Sequence, residues 1–113
     1  MLTVAVILFL VAALGGIIMA LSIFRGTFPR VGLAIAHGVL AATGLVLALL
    51  VAYTRSATPA LTYGVALLVL AALGGFFLLS FHIRGKVHPR PAVVLHALVA
   101  VAGVACLALV LLR

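Results

Sequence analysis

The chain contains no aspartate and no glutamate, and only 6% of its 113 residues carry any charge. A soluble domain carries about a quarter charged residues. The missing carboxylates exclude paired-acid catalysis, carboxylate metal cages and ion-pair networks. No nucleophile–base pair and no phosphate-binding loop is visible either. Hydrolytic and transferase chemistry are therefore not expected. There is no tryptophan, and the single cysteine, Cys106, has no partner for an internal disulfide. Cys106 and Met19 read as packing residues.

What is present is apolar: 69% of the residues are hydrophobic. Three breaks interrupt this composition, at 24–30, 53–64 and 82–91. They hold six of the seven cations and all four prolines. Between them lie apolar runs at about 2–24, 31–53, 60–82 and 91–112, each close to the ~20 residues that a helix needs to cross a bilayer core. The first run lacks the basic residues that precede a secretory signal's apolar stretch, so it is expected to be a membrane span. Short connections make consecutive helices antiparallel neighbours. The expected fold class is an all-α membrane protein: a four-helix transmembrane bundle.

The two halves resemble one another. Residues 11–50 set against 70–109 share eleven of forty positions. Five of these are Ala or Leu and carry little weight in such a composition. The other six are Gly15, Gly16, Arg25, Gly26, His37 and Gly44, matching Gly74, Gly75, Arg84, Gly85, His96 and Gly103. The chain reads as two tandem two-helix repeats, about 1–54 and 60–113, in one bundle. Two spans per repeat give both units the same orientation, with a pseudo-two-fold axis along the membrane normal. The loops carrying Arg25, Arg30, Arg84, Lys86 and Arg90 then emerge on one side. The positive-inside rule places that side in the cytoplasm of a bacterial-type inner membrane, with both termini outside. The cations sit in short breaks without a continuous basic face, so nucleic acid is not an expected partner; membrane lipid is.

Within this apolar frame the intramembrane histidines stand out. At 100° per residue, Ala34, His37, Ala41, Gly44 and Ala48 share one arc of the second helix, and His96, Ala100 and Gly103 repeat it on the fourth. Stripes of small residues mark where membrane helices approach. Both histidines should face the bundle interior at matching depth, across the diagonal between the second and fourth helices. Two main readings follow, beside which another metal, a quinone contact or a proton path stays open. The histidines can serve as packing groups, bonded to each other or to backbone carbonyls. Alternatively, they can be axial ligands of one haem, whose iron takes imidazole nitrogens at about 2 Å, as zinc does. Gly16 and Gly75, which lack a Cβ, would then admit the edges of the macrocycle. Arg25, Arg30, Arg84 and Arg90 would bind its propionates, in competition with lipid phosphate. His82 and His88 read as interfacial residues.

This layout resembles the b-type cytochromes of membranes, which hold haem between histidines on a four-helix bundle. The resemblance covers all four spans in architecture and rests on His37 and His96. Di-haem members use two histidine pairs near opposite faces, so this chain would hold one haem b at most. The tandem "RG…PR…H" hairpin is also similar to small four-span membrane proteins of bacteria. The resemblance implies one-electron transfer, alone or as a cytochrome-like subunit beside other membrane subunits of a redox complex, or as a homodimer. The alternative is a haem-free accessory subunit of a larger membrane complex.

Overall fold

A computed structural model describes all residues 1–113. It contains four helices and no strand: α1 Leu2–Phe24, α2 Val31–Thr54, α3 Pro59–Ile83 and α4 Arg90–Leu111. All four are long and apolar enough to cross a membrane. At 1.5 Å per residue they are about 33–38 Å long, slightly more than the ~30 Å hydrocarbon core. Each begins and ends within a residue or so of its apolar run; proline lies at the starts of α2, α3 and α4, and glycine follows the ends of α1 and α3. Pro59 occupies the first turn of α3, and the Thr58 side chain accepts the Leu61 N–H at 3.3 Å. Proline in the first turn loses no helical hydrogen bond, since those N–H groups have no partner inside the helix.

The repeated Arg-Gly pairs are helix stops. Gly26 and Gly85 have φ of +77° and +63°, a left-handed conformation that other residues adopt at a cost. Gly26 N–H bonds Ile23 O and Thr27 N–H bonds Ser22 O; Gly85 N–H bonds His82 O and Lys86 N–H bonds Phe81 O. These paired bonds are the Schellman arrangement, which satisfies the carbonyls left open at a helix end.

Two hairpins, α1–α2 and α3–α4, are each tightly packed along their length. They are joined by less extensive contacts between α1 and α4 and between α2 and α3, and the diagonal backbones do not approach. The chain thus forms a four-membered ring of helices within 44 × 23 × 21 Å. Only 19 of 113 residues are buried, and many large aliphatic side chains face outward. That distribution would be unstable in water, whereas lipid solvates it.

The buried core is concentrated at one end. Leu2, Ala5, Val6, Phe9, Ala48, Val51, Leu61, Val65, Leu68 and Leu107 form one cluster, where the termini and the 55–58 connection lie. Small residues set the spacing there. A Cβ on Gly103 would lie 2.7 Å from Leu68 Cγ and 3.1 Å from Gly64 O, and one on Gly44 would lie 3.3 Å from Ala5 O. No hydrophobic effect drives helices together in lipid, so close van der Waals approach of this kind supplies the packing energy. Gly103→Ala is expected to destabilise the bundle by about 1–3 kcal/mol through overpacking. Gly38→Ala, whose Cβ would meet nothing within 4 Å, should be neutral or slightly stabilising. Thermal unfolding of the two variants in mild detergent checks both expectations.

Candidate functional site: the paired histidines

His37 and His96 each lie six residues past the first residue of their helix, about 9 Å along the axis. Both are half-buried and their ring centroids are 6.3 Å apart, with the planes inclined at 72°. The structure therefore brings the two sequence-matched histidines together across the diagonal, at one depth, on the side of the basic loops.

The hydrogen bonds of the two rings are the same in both hairpins. His37 Nδ1 lies 2.7 Å from Ala12 O, and His96 Nδ1 lies 2.8 Å from Ala71 O. A carbonyl only accepts, so Nδ1 carries the proton and donates in each ring. A neutral imidazole that donates at Nδ1 is a bare acceptor at Nε2. Neither Nε2 has a hydrogen-bond partner in the protein. No sealed side-chain nitrogen or oxygen lacks a partner either, so both Nε2 atoms retain accessible surface. Two acceptors cannot bond one another, which removes a direct His37–His96 hydrogen bond and leaves the carbonyl bond as the structural role.

The Gly-Gly pairs belong to this same arrangement. Gly16 lies one turn beyond Ala12, directly above the carbonyl that His37 must reach, and a Cβ there would lie 3.0 Å from His37 Cε1. Gly75 stands in the same relation to Ala71 and His96, with a Cβ contact of 3.3 Å. Gly15 and Gly74 flank the same rings at 3.5–3.8 Å. The space that glycine opens on α1 and α3 is thus taken up by imidazole. The Ala12 and Ala71 matches, given little weight because alanine is so common here, fall on the two carbonyls that hold the histidines. A backbone acceptor leaves no mark in side-chain identity, and only its position four residues before a glycine signals it.

The expected arginines are divided. Arg84 turns back along its own helix, bonding Ser80 O at 3.0 Å and lying over the Phe81 ring at 4.8 Å. Arg90 crosses to the other hairpin, donating to Phe24 O at 3.4 Å with its guanidinium 5.4 Å from the Phe24 ring centre. Arg25 and Arg30 are exposed. Beyond the sequence reading, Phe28, His82 and His88 form a ring cluster on this face, with centroids 4.7–5.6 Å apart. His88 is 6% exposed. Burial, and secondarily the proximity of His82, lowers its pKa from the ordinary 6.5. Beside His96 an apolar groove of about 320 Å³ opens between α3 and α4, lined by Ala71, Gly74, Phe77 and Val99 among others.

An atom bonded at about 2 Å to two opposed imidazoles places their centres roughly 6 Å apart, so the 6.3 Å separation suits a metal held between them. Ligating histidines commonly donate their other ring N–H to a backbone carbonyl, which is the state of both rings here. No third histidine, cysteine or acid completes a metal-binding group anywhere in the chain. Two ligands suffice for haem iron, whose macrocycle supplies the other four; they leave a bare zinc-like ion short of its usual coordination. The donor set fits haem. The chain matches no protein-family model, no curated protein and no solved structure.

Each carbonyl bond lies within one hairpin and should contribute about 0.6–2 kcal/mol. In protein free of any cofactor, His37→Phe and His96→Phe are expected to lower stability by that amount each. The double variant should be additive if the rings act separately, and less than additive if a shared water or metal links the two Nε2 atoms. Detergent unfolding of the four proteins measures the coupling.

Proposed function

We propose that the chain is a small membrane b-type haem protein that transfers single electrons, with His37 and His96 as axial ligands. The observation that supports this most is the pair of unpartnered Nε2 acceptors, on rings fixed by the Ala12 and Ala71 carbonyls with their centres 6.3 Å apart. An unpaired acceptor inside hydrocarbon is costly, and the protein offers neither ring a donor. Haem supplies an iron centre that accepts and returns one electron. The chain's own part is to fix each ring's tautomer and angle, to raise imidazole basicity through the carbonyl bonds, and to exclude water with apolar helices. The histidines lie outside the main core cluster, so a flat group between them would not displace its side chains. Arg25 and Arg30, being exposed and without any carboxylate side chain to pair with, are suited to propionates; Arg84 and Arg90 are more engaged.

A second reading has its own support. The carbonyl bonds also fasten each hairpin without any cofactor, and one water donating to both Nε2 atoms would satisfy them. The chain would then be a haem-free accessory subunit, packed through its apolar outer faces against other membrane subunits or a second copy. Purification from haem-replete cells in mild detergent, followed by a reduced-minus-oxidised visible spectrum, separates the two. The expected result is sharp low-spin b-type bands that are lost in His37→Ala and in His96→Ala. A protein that stays colourless after haem is added overturns the cytochrome reading and leaves the accessory one.

The same proposal places the chain in a bacterial-type inner membrane with residues 25–30 and 84–90 in the cytoplasm, supported by the excess of arginine and lysine there. In a Cys106→Ser background, an impermeant maleimide added to intact spheroplasts should label Ser56→Cys and spare Thr27→Cys. Labelling of Thr27→Cys alone reverses the orientation.

A further inference from the structure

At the basic-loop face a cavity of about 200 Å³ lies in the seam between the hairpins, lined by Gly26, Thr27, Phe28, Val87, His88 and Arg90 among others. Several of the polar groups around it are donors without an acceptor in the protein. Arg90 brings five N–H donors and spends one on Phe24 O. The backbone N–H groups of Phe28, Val87 and His88 have no acceptor in the protein. His88 is more than nine-tenths buried, yet neither ring nitrogen has a hydrogen-bond partner, and neither is sealed against packed atoms. Thr27 Oγ1 already donates to Ser22 O, which leaves only its lone pairs free. The chain has no carboxylate side chain that could swing in to serve these donors.

We propose that this cavity binds a phosphate group, and that the group belongs to an anionic phospholipid headgroup. Phosphate is acceptor-only and pairs with guanidinium through charge-assisted hydrogen bonds, which are stronger than neutral ones. Backbone N–H groups left free in loops are recurring contributors to anion sites. The volume admits a headgroup phosphate but not a folded partner. A lipid is the favoured source because the cavity opens where the helices meet the headgroup layer, between Phe24 at the end of α1 and Arg90 at the start of α4. Bound phosphate would also bridge the two hairpins at the end where the core cluster does not reach, clamping the seam next to the histidine pair. A metal ion is disfavoured: His82 and His88 offer only two ligands, beside Arg90, with no carboxylate to offset a cation's charge.

The test follows the ring signals of all four histidines by NMR in haem-free, ¹⁵N-histidine-labelled protein, held in a maltoside detergent without phosphate. Inorganic phosphate is titrated first, then a short-chain phosphatidylglycerol. The expected result is a saturable shift of His88 with phosphatidylglycerol while His37 and His96 stay in place. Arg90→Gln should weaken it about tenfold or more, as loss of one charge-assisted bond implies, and Arg90→Lys should retain most of it. Val87→Glu, at an exposed position that tolerates the change, should abolish the shift by supplying a competing acceptor. Saturation by inorganic phosphate with the same variant pattern keeps the site and reassigns the source to soluble phosphate. No saturable His88 shift with either probe, equal movement of all four histidines, or binding unchanged in Val87→Glu overturns the proposal. None of these outcomes depends on haem, so this proposal and the cytochrome reading fail separately.

Discussion

The bond from His37 Nδ1 to the carbonyl of Ala12, with its copy from His96 to Ala71, is the interaction on which the interior of this bundle depends. Bulk water is absent from the hydrocarbon layer, so the ring must find partners in protein, in a trapped water or in a bound group. A helical carbonyl has a second lone pair available, but the side chain one turn further on normally blocks its approach. Glycine at that position removes the block, and this explains why each histidine is matched by a glycine on the preceding helix. Once the bond forms, tautomer, ring direction and hairpin register are fixed together. The remaining nitrogen is left as an acceptor pointing to nothing in its own chain.

Packing and polarity are separated along the membrane normal. The end near the termini holds the close contacts of Ala5 with Gly44 and of Gly64 with Gly103, together with the main cluster of aliphatic side chains. The end near the basic loops holds the histidine pair, the Phe28–His82–His88 cluster and both cavities. The main buried cluster thus lies at the end away from the histidine pair, and the polar groups of the interior gather at the end toward the basic loops.

The four spans were legible in the sequence because length, hydropathy and the positions of proline and glycine all agree on them. The facing of His37 and His96 was legible too, since helical periodicity fixes the arc, and six or seven residues separate each from Arg30 or Arg90, which fixes the depth. The role of Gly16 and Gly75 was less so. The absence of a side chain indicates only that something approaches, and here the imidazole itself does. Arg-Gly was visible as a repeated pair, whereas its function as a left-handed helix stop needs the backbone angle of Gly26 and Gly85. Phe28, His82 and His88 come from two loops and a helix end that share no periodicity, so their meeting is set by how the hairpins dock and could not be read from spacing.

A single compositional fact links the two sites. Without aspartate or glutamate, the chain has almost no side-chain acceptors beyond hydroxyls and the histidines. At the loop face this leaves a surplus of donors: guanidinium groups and backbone N–H groups with nothing of their own to bond. In the interior the surplus is reversed, because both histidines have given their only proton to carbonyls and keep bare lone pairs. A protein could cancel these two excesses with carboxylates at the face and hydroxyls inside, and this chain has neither in place. The chain itself holds no group that balances either excess, which leaves room for an acceptor at the loop face and for a bound group or a trapped water between the rings. Complementary shortages some 9 Å apart along the helix axis, each backed by matching hydrogen bonds or cations, are better accounted for as two binding sites than as two unrelated defects in packing.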